Sequence, residues 1–430
     1  MINTFINLFK SKEIRTKIFF TLGMLFIFRL GAGIPAPMVD TAALLEGVSD
    51  VSVLGIMNLL GGGALQRFSI FAMGVGPYIT ASIIVQLLAM DVIPALTEMQ
   101  KSGAQGRKQL DKVTRYLGVV LALFQSFTMT YAFDVNYGIL NDAGFATYLY
   151  VSVVLAAGTM FLLWIADRIS AYGIGNGVSI IIFAGIVSNI PFQFSSVFKT
   201  MVDTSSSAAM FNGYLNFGLF VLMYILIIVL VIFMSQAVRK IPIQYTSSNM
   251  GKAKNDITYL PLKINSASVI PVIFASAVMT APATAFSFFS ETQGLYSWFS
   301  DIFNFQKPLG LTIYAILIIL FTFFYTNLQV DPEKIAENLG KQGTYIPGIR
   351  PGSETKSYLK KVLNRITVLG ALFLTFVGVL PYLLPMISNL PTSISVGGTG
   401  IIIVVGVALE TMKDLEGQLT QRQYRGFVNR

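Results

Sequence analysis

The stretch Leu215–Ala237, LNFGLFVLMYILIIVLVIFMSQA, runs 23 residues without a charged side chain. At about 1.5 Å of rise per residue, a helix of that length crosses the ~30 Å hydrocarbon core of a bilayer. Every residue of its centre, Ile225–Phe233, is apolar. The rest of the chain agrees: of its 430 residues 54% are hydrophobic and only 12% charged, against about 25% charged in a soluble domain. Water cannot be the only solvent for this chain.

Working outward, nine further stretches have the length and composition of spans: Ile18–Ile34, Phe68–Ala89, Tyr116–Phe133, Tyr148–Ala166, Val178–Phe194, Ala267–Phe289, Leu309–Leu328, Ile366–Leu384 and the short Gly400–Met412. The basic segment before the first span is not followed by a small-residue cleavage site, so Ile18–Ile34 reads as a span and not a removable signal. The expected fold class is all-α, a polytopic membrane protein with ten transmembrane helices.

Lys and Arg fix the expected orientation, because they accumulate in cytoplasmic connections. They alternate along the whole chain. One side holds Lys10, Lys12, Arg15 and Lys17, then Lys101, Arg107, Lys108, Lys112 and Arg115, then Arg168. The same side takes Arg239, Lys240, Lys252, Lys254 and Lys263, then Lys334, Lys341, Arg350, Lys356, Lys360, Lys361 and Arg365, and finally Lys413, Arg422, Arg425 and Arg430. That is 26 of the 30 basic residues, with both termini on the cytoplasmic side. The net charge of +9 is thereby explained by the anionic inner leaflet, without a nucleic-acid partner. Arg29, near the outer end of the first span, can snorkel.

Cys and His are absent. Disulfides, thiol nucleophiles, Cys/His metal sites and imidazole acid–base chemistry are therefore excluded. No cofactor or metal is expected. Charged residues avoid the span centres, which argues against an ion-coupled pump. No carboxylate pair or nucleophile–base pair marks an intramembrane enzyme.

Four segments are more than spans or plain connections. The run Leu54-Gly55-Ile56-Met57-Asn58-Leu59-Leu60-Gly61-Gly62-Gly63-Ala64-Leu65 is apolar but too short to cross, and reads as either a re-entrant piece or an interfacial helix. Gly74, Gly76 and Pro77 weaken the second span while leaving Val75 and Ile79 on one helix face. Gly173-Ile-Gly-Asn-Gly177 opens the fifth span as a tight inner turn. Pro271 and Gly397–Gly398 read as breaks early in the seventh span and before the tenth. The connection 329–365, with Tyr345-Ile-Pro-Gly-Ile-Arg-Pro351, is far longer than the usual ~4–6 residues; together with 239–263 it could build a cytoplasmic docking surface.

These same residues carry a resemblance. Gly55–Ile83, Gly173–Ile182 with Gly185, Tyr259-Leu-Pro-Leu-Lys-Ile-Asn265, Ile270–Ser276, Pro347–Pro351 and Gly397–Thr399 occur in the order found in the SecY family, and the chain resembles that family from its first span to its last. The resemblance implies two inverted, pseudo-symmetric halves, 1–188 and 217–412, joined by an external hinge at 189–216 and followed by a cytoplasmic tail at 413–430. It implies that Leu54–Leu65 is a short plug helix. Val75, Ile79, Val178, Ile182, Ile273 and Ile403 would form a narrow apolar pore ring, two of its positions being Val where the family often has Ile. Thr80, Ile83, Gln86, Asn265 and Ser268 would lie at a lateral gate between the second and seventh spans. Arg239, Lys240, Lys252, Lys254 and Arg350 would meet a SecA motor or a ribosome. The implied partners are SecE-like and SecG-like small membrane subunits, signal peptides and nascent unfolded polypeptides in the bacterial cytoplasmic membrane. The function implied is a channel that conducts secretory polypeptides and releases membrane segments sideways into lipid, in a housekeeping or an accessory form. The rival from the residues alone is an inverted-repeat transporter, which needs a polar cluster at the midplane; here only scattered uncharged groups occur. Ile227, in the sixth span, is expected to lie away from any ring.

Overall fold

The computed structural model describes residues 11–40, 63–65, 67–90, 92–202, 207–245, 258–286, 301–387 and 393–428. Its helices are α1 (Lys12–Ala32), α2 (Gly76–Leu88), α3 (Pro94–Lys101), α4 (Gly103–Tyr137), α5 (Phe145–Tyr172), α6 (Gly177–Met201), α7 (Ser207–Gln236), α8 (Ile270–Phe286), α9 (Pro308–Gln329), α10 (Pro332–Lys341), α11 (Ser353–Ile387) and α12 (Ser393–Val428). Each of the ten expected spans falls on one of them. Six of these helices have both the length and the apolar composition to cross a membrane, and α2 and α8 are shorter apolar helices.

Several boundaries differ from expectation. Residues 67–75 are not helical, with Phe68 (φ 41°) and Gly74 (φ 56°) in left-handed conformations. The second span is therefore half irregular, consistent with its Gly–Val–Gly–Pro sequence. Pro271 does not break the seventh span; α8 begins at Ile270, and proline is well accommodated in a first turn, where its missing N–H has no helical partner. Gly397 and Gly398 do not interrupt α12, which runs on through the expected tail to Val428. The segment 189–216 is largely taken up by the ends of α6 and α7.

The packing pattern divides the helices. Within the first set, α1 packs on α5 and α6, α2 on α4, α4 on α5, and α5 on α6. Within the second, α8 packs on α9, α9 on α11, α11 on α12, and α7 on α11 and α12. The sets meet along two seams. On one, α8 packs against α2 and α4; on the other, α6 packs against α7 and α12. One large buried apolar cluster extends across both sets.

Close approach inside the first set depends on small residues. A Cβ on Gly158 of α5 would stand 1.8 Å from the carbonyl oxygen of Ile70, so only glycine lets α5 lie on the irregular backbone of 67–75. Gly158→Ala is expected to lower stability by about 3 kcal/mol through backbone overpacking. Thermal unfolding in detergent micelles checks this: a midpoint equal to the parent's contradicts the packing.

To the helices the structure adds a feature absent from the sequence reading, an antiparallel sheet of order β2-β1-β3. It comprises β1 (Val238–Tyr245), β2 (Thr258–Lys263) and β3 (Thr344–Tyr345). The β1–β2 register runs from Val238↔Lys263 to Ile243↔Thr258, and β3 joins through Gln244↔Tyr345. Ile241, Ile243 and Leu262 from the sheet bury against Leu339 of α10 and Leu359 and Leu363 of α11. The connections 239–263 and 329–365 thus share one core.

Candidate functional site: a buried apolar cluster and a basic surface

The six residues expected at the ring come from four helices. Val75 precedes the first residue of α2, and Ile79 follows one turn later, its N–H bonding the Val75 carbonyl at 3.1 Å. Val178 and Ile182 occupy the first turns of α6, whose start is capped by Asn176: its Oδ1 accepts from the N–H groups of Val178 (3.0 Å) and Ser179 (3.4 Å). Such a cap satisfies donors a helix start would otherwise leave bare. Ile273 lies in the first turn of α8, and Ile403 in α12.

Val75, Ile79, Ile182, Ile273 and Ile403 are all buried in the same apolar cluster, and Val178 packs partly buried against it. Ile227 of α7 is also buried in that cluster, which is wide enough to reach both helix sets, so burial there does not by itself mark a ring position. A helix with a wide apolar face toward lipid still turns one side inward, and an all-apolar sequence does not say which. α12 is drawn onto the turn before α8 because Gly406 faces Val269, where a Cβ would lie 2.3 Å from Val269 Cγ1.

Of the plug stretch, Leu54–Gly62 lies outside the described residues. Gly63, Ala64 and Leu65 are described: Gly63 is left-handed (φ 82°) against Asn189 of α6, Ala64 is buried in the cluster with Val75 and Ile79, and Leu65 is buried beside Phe68 and Phe133. The end of this stretch therefore reaches the central cluster.

Of the expected gate residues, Thr80, Ile83 and Gln86 lie on α2, and Asn265 and Ser268 lie in the turn just before α8, the helix on which α2 packs. Their polar groups bond within their own segments: Thr80 Oγ1 donates to the Gly76 carbonyl (3.2 Å), Gln86 Nε2 to Ser82 Oγ (3.0 Å) and Asn265 Nδ2 to the Ser268 carbonyl (3.1 Å). Ile83 is buried. Ser268 has φ 56°, and Asn265 Oδ1 is buried without a partner. An orphaned carbonyl of this kind costs about 1–3 kcal/mol, so this turn is a poorly satisfied point on the α8 side of the seam.

On the unit built by the sheet, α10 and the start of α11, Arg239 and Lys240 are exposed on β1, while Lys252 and Lys254 lie outside the described residues. Arg350 is exposed in a turn between two left-handed glycines, Gly348 (φ 81°) and Gly352 (φ 99°), and its carbonyl accepts from Thr355 Oγ1 at 2.8 Å. Three of the unit's four acids in 329–365 are paired elsewhere: Asp331 with Lys334 (3.5 Å), Glu337 with Lys341 (2.8 Å) and Glu333 with Lys356 (2.7 Å); the fourth, Glu354, opens α11. The hydrogen bond from Lys341 holds the Glu337 carboxyl below its usual range. Burial and then the charge of Lys263 push the Lys413 ammonium down, with Glu416 opposing.

Sequence reading missed α10 and the sheet. A signal for α10 was present: Asp331-Pro332 is a helix-start pair, and Asp331 Oδ1 does accept from the N–H groups of Glu333 (3.0 Å) and Lys334 (3.4 Å).

A helical, multi-pass membrane protein whose two helix sets share one buried apolar cluster and carry a basic unit outside the spans is of the class of membrane-channel folds. Comparison with known proteins places it further. The SecY family profile matches residues 69–412. The chain is 48% identical over 437 residues to the protein translocase subunit SecY of Staphylococcus carnosus and 47% identical over 436 residues to that of Bacillus licheniformis, covering 100% of both chains in each case. A solved structure described as a protein conducting channel superposes with a TM-score of 0.65 at 19% identity, over 93% of this chain and 91% of that one. Sec61 in a canine ribosome–channel complex from the endoplasmic reticulum gives 0.63 at 19%, with the same coverages. The chain belongs to the SecY family.

Proposed function

We propose that this chain is the channel-forming subunit of a protein translocase, which passes unfolded secretory polypeptides across a bacterial cytoplasmic membrane. What carries the reading is full-length relatedness, at 47–48% identity, to proteins named as translocase subunits. The geometry supplies the means. Branched aliphatic side chains from α2, α6, α8 and α12 close a constriction that offers a passing peptide no hydrogen bonds and resists ions by dewetting. The five-helix sets act as two halves of opposite orientation, and Leu54–Leu65 as a plug on the outer side. The seam where α2 and α4 meet α8 serves as the lateral exit for membrane segments. Its poorly satisfied turn at Asn265–Ser268 makes separation inexpensive there.

The chain is not read as an enzyme. Energy comes from a SecA-type motor or a ribosome docked on the basic unit around Arg239, Lys240 and Arg350. SecE-like and SecG-like subunits brace the halves, and both termini face the cytoplasm.

Orientation is tested by labelling, which the absence of native Cys makes clean. Single cysteines at Ser52, Asn141 and Ser393 are expected to react with a membrane-impermeant maleimide applied to intact cells. Failure of all three to react contradicts the topology. For the function itself, this chain is expected to restore secretion in a bacterium depleted of its own channel subunit, and accumulation of precursor despite normal insertion contradicts it.

A further inference from the structure

The sheet β2-β1-β3 stops short on both sides, and three prolines account for where it stops. The Ile264 N–H donates to the Ala237 carbonyl at 3.0 Å, one step before the β1–β2 register begins at Val238↔Lys263. Antiparallel pairs alternate between hydrogen-bonded and non-bonded. With 237↔264 bonded, the bonded pairs of the ladder are Arg239↔Leu262, Ile241↔Leu260 and Ile243↔Thr258. Val238, Lys240, Pro242 and Gln244 therefore turn their backbone groups toward the β3 side. Tyr259, Pro261 and Lys263 turn theirs toward the far side of β2, the outer strand among the described residues.

On the β3 side, Gln244 pairs with Tyr345, whose hydroxyl donates to Gln244 Oε1 at 3.1 Å. Continuing that register by two residues sets Pro242 against Pro347. Neither proline has an N–H, so the pair can form no hydrogen bond, and β3 ends after two residues. On the other side, Pro261 is the middle one of the three outward-facing residues of β2 and removes the central donor. All three prolines are exposed, so none is held in place by the core. Lys240 and Lys263, also exposed, put charge on the same two edges, a second device against edge pairing.

We propose that Pro242, Pro261 and Pro347 are edge guards, which keep an extended polypeptide in transit from joining the sheet as a further strand. Strand addition takes its affinity from main-chain hydrogen bonds, so an open edge would hold unfolded chains of any sequence. A channel that passes unfolded cargo presents such chains at its entrance continually, and a sheet there needs closed edges. The inference rests on the reading above that places the sheet unit where cargo enters.

Pro261→Val tests it, because position 261 faces outward and the new N–H leaves the β1–β2 bonds untouched. Adding Tyr259→Pro moves the missing donor two residues along the same edge. A photoreactive residue at Lys263 reports contact with a secretory precursor arrested in inverted vesicles that contain each variant with its natural partners, and transport of that precursor is timed. Pro261→Val is expected to raise cross-linking and slow transport by about threefold or more, the equilibrium effect of one added backbone hydrogen bond. The double variant is expected to return both to the parent's values. Where Pro261→Val inserts poorly, Pro261→Ala restores the same N–H and carries the same readouts. Slowed transport without added cross-linking, or without rescue by Tyr259→Pro, overturns the proposal. An inserted Pro261→Val channel that cross-links and transports like the parent overturns it too. A fluorescent peptide of alternating Val and Thr, added to the purified channel complex, then tells which part failed. Binding by Pro261→Val and not by the parent shows a guarded edge that cargo never meets, which puts the error in the entrance reading; equal binding shows that the edge was not guarded.

Discussion

Channels carrying Ile79→Ser together with Ile182→Ser are expected to leak ions at rest, with single-channel currents across planar bilayers where the parent protein is silent. Both side chains are buried in the central cluster and sit near helix starts, at the first turns of α2 and α6. Two serines remove several methyl groups from the constriction and add hydroxyls, which lets water wet it. Each loss of buried apolar volume also costs stability, on the order of 2–5 kcal/mol for a large truncation, so insertion and folding must be verified beside conductance. The resting closed state needs to exceed the open one by only a few kcal/mol for an arriving signal sequence to shift it. Loosening the ring is therefore expected to relax signal-sequence discrimination too. Ile227 is unsuitable as a control because it lies in the same cluster. Leu222→Ala, on the exposed face of α7 where Leu222 is 60% accessible, is expected to leave the channel tight. A folded, inserted double-serine channel that stays tight defeats the ring.

Arg350→Glu is expected to cut secretion by tenfold or more while leaving the membrane part folded. The glycines at 348 and 352 and the Thr355 hydrogen bond hold the turn in one shape, and among the described residues of the sheet unit none of the three ion pairs involves Arg350. Its charge is thus presented outward. Reversing a charge that faces an acidic or phosphate-bearing partner costs several kcal/mol of binding, whereas an exposed substitution changes folding stability by about 0.5 kcal/mol or less. Secretion rate and co-purification with the motor or ribosome check this. Normal secretion by the variant removes Arg350 from the docking surface.

The membrane architecture was legible because the hydrophobic pattern and the positive charges act over whole spans. Leu215–Ala237 can be nothing but a span, and the irregular start of the second span follows from Gly74, Gly76 and Pro77. The parts outside the spans were less legible. α4, α11 and α12 continue well past their apolar stretches into charged sequence, where hydropathy fades but helix propensity does not. The sheet was hidden because β1 carries Pro242 and pairs first with a strand beyond 245 and then with only two residues near 344; short strands with distant partners leave little local pattern. The ring residues were placed by resemblance. Aliphatic side chains in an aliphatic chain do not announce which face is central, and Ile227 of α7 is buried in the same wide cluster as the expected ring residues.

The measurement that tests the account most directly is photo-cross-linking to a polypeptide stalled in transit. A photoreactive residue is placed at Ile182, at Ile403 or at Leu222, and a secretory precursor fused to a tightly folded domain is arrested halfway. The account predicts cross-links to the precursor from 182 and 403 and none from 222, all dependent on the motor's energy source. Cross-links from 222 alone, or none from 182 and 403 while the precursor is stalled, would contradict passage through this constriction.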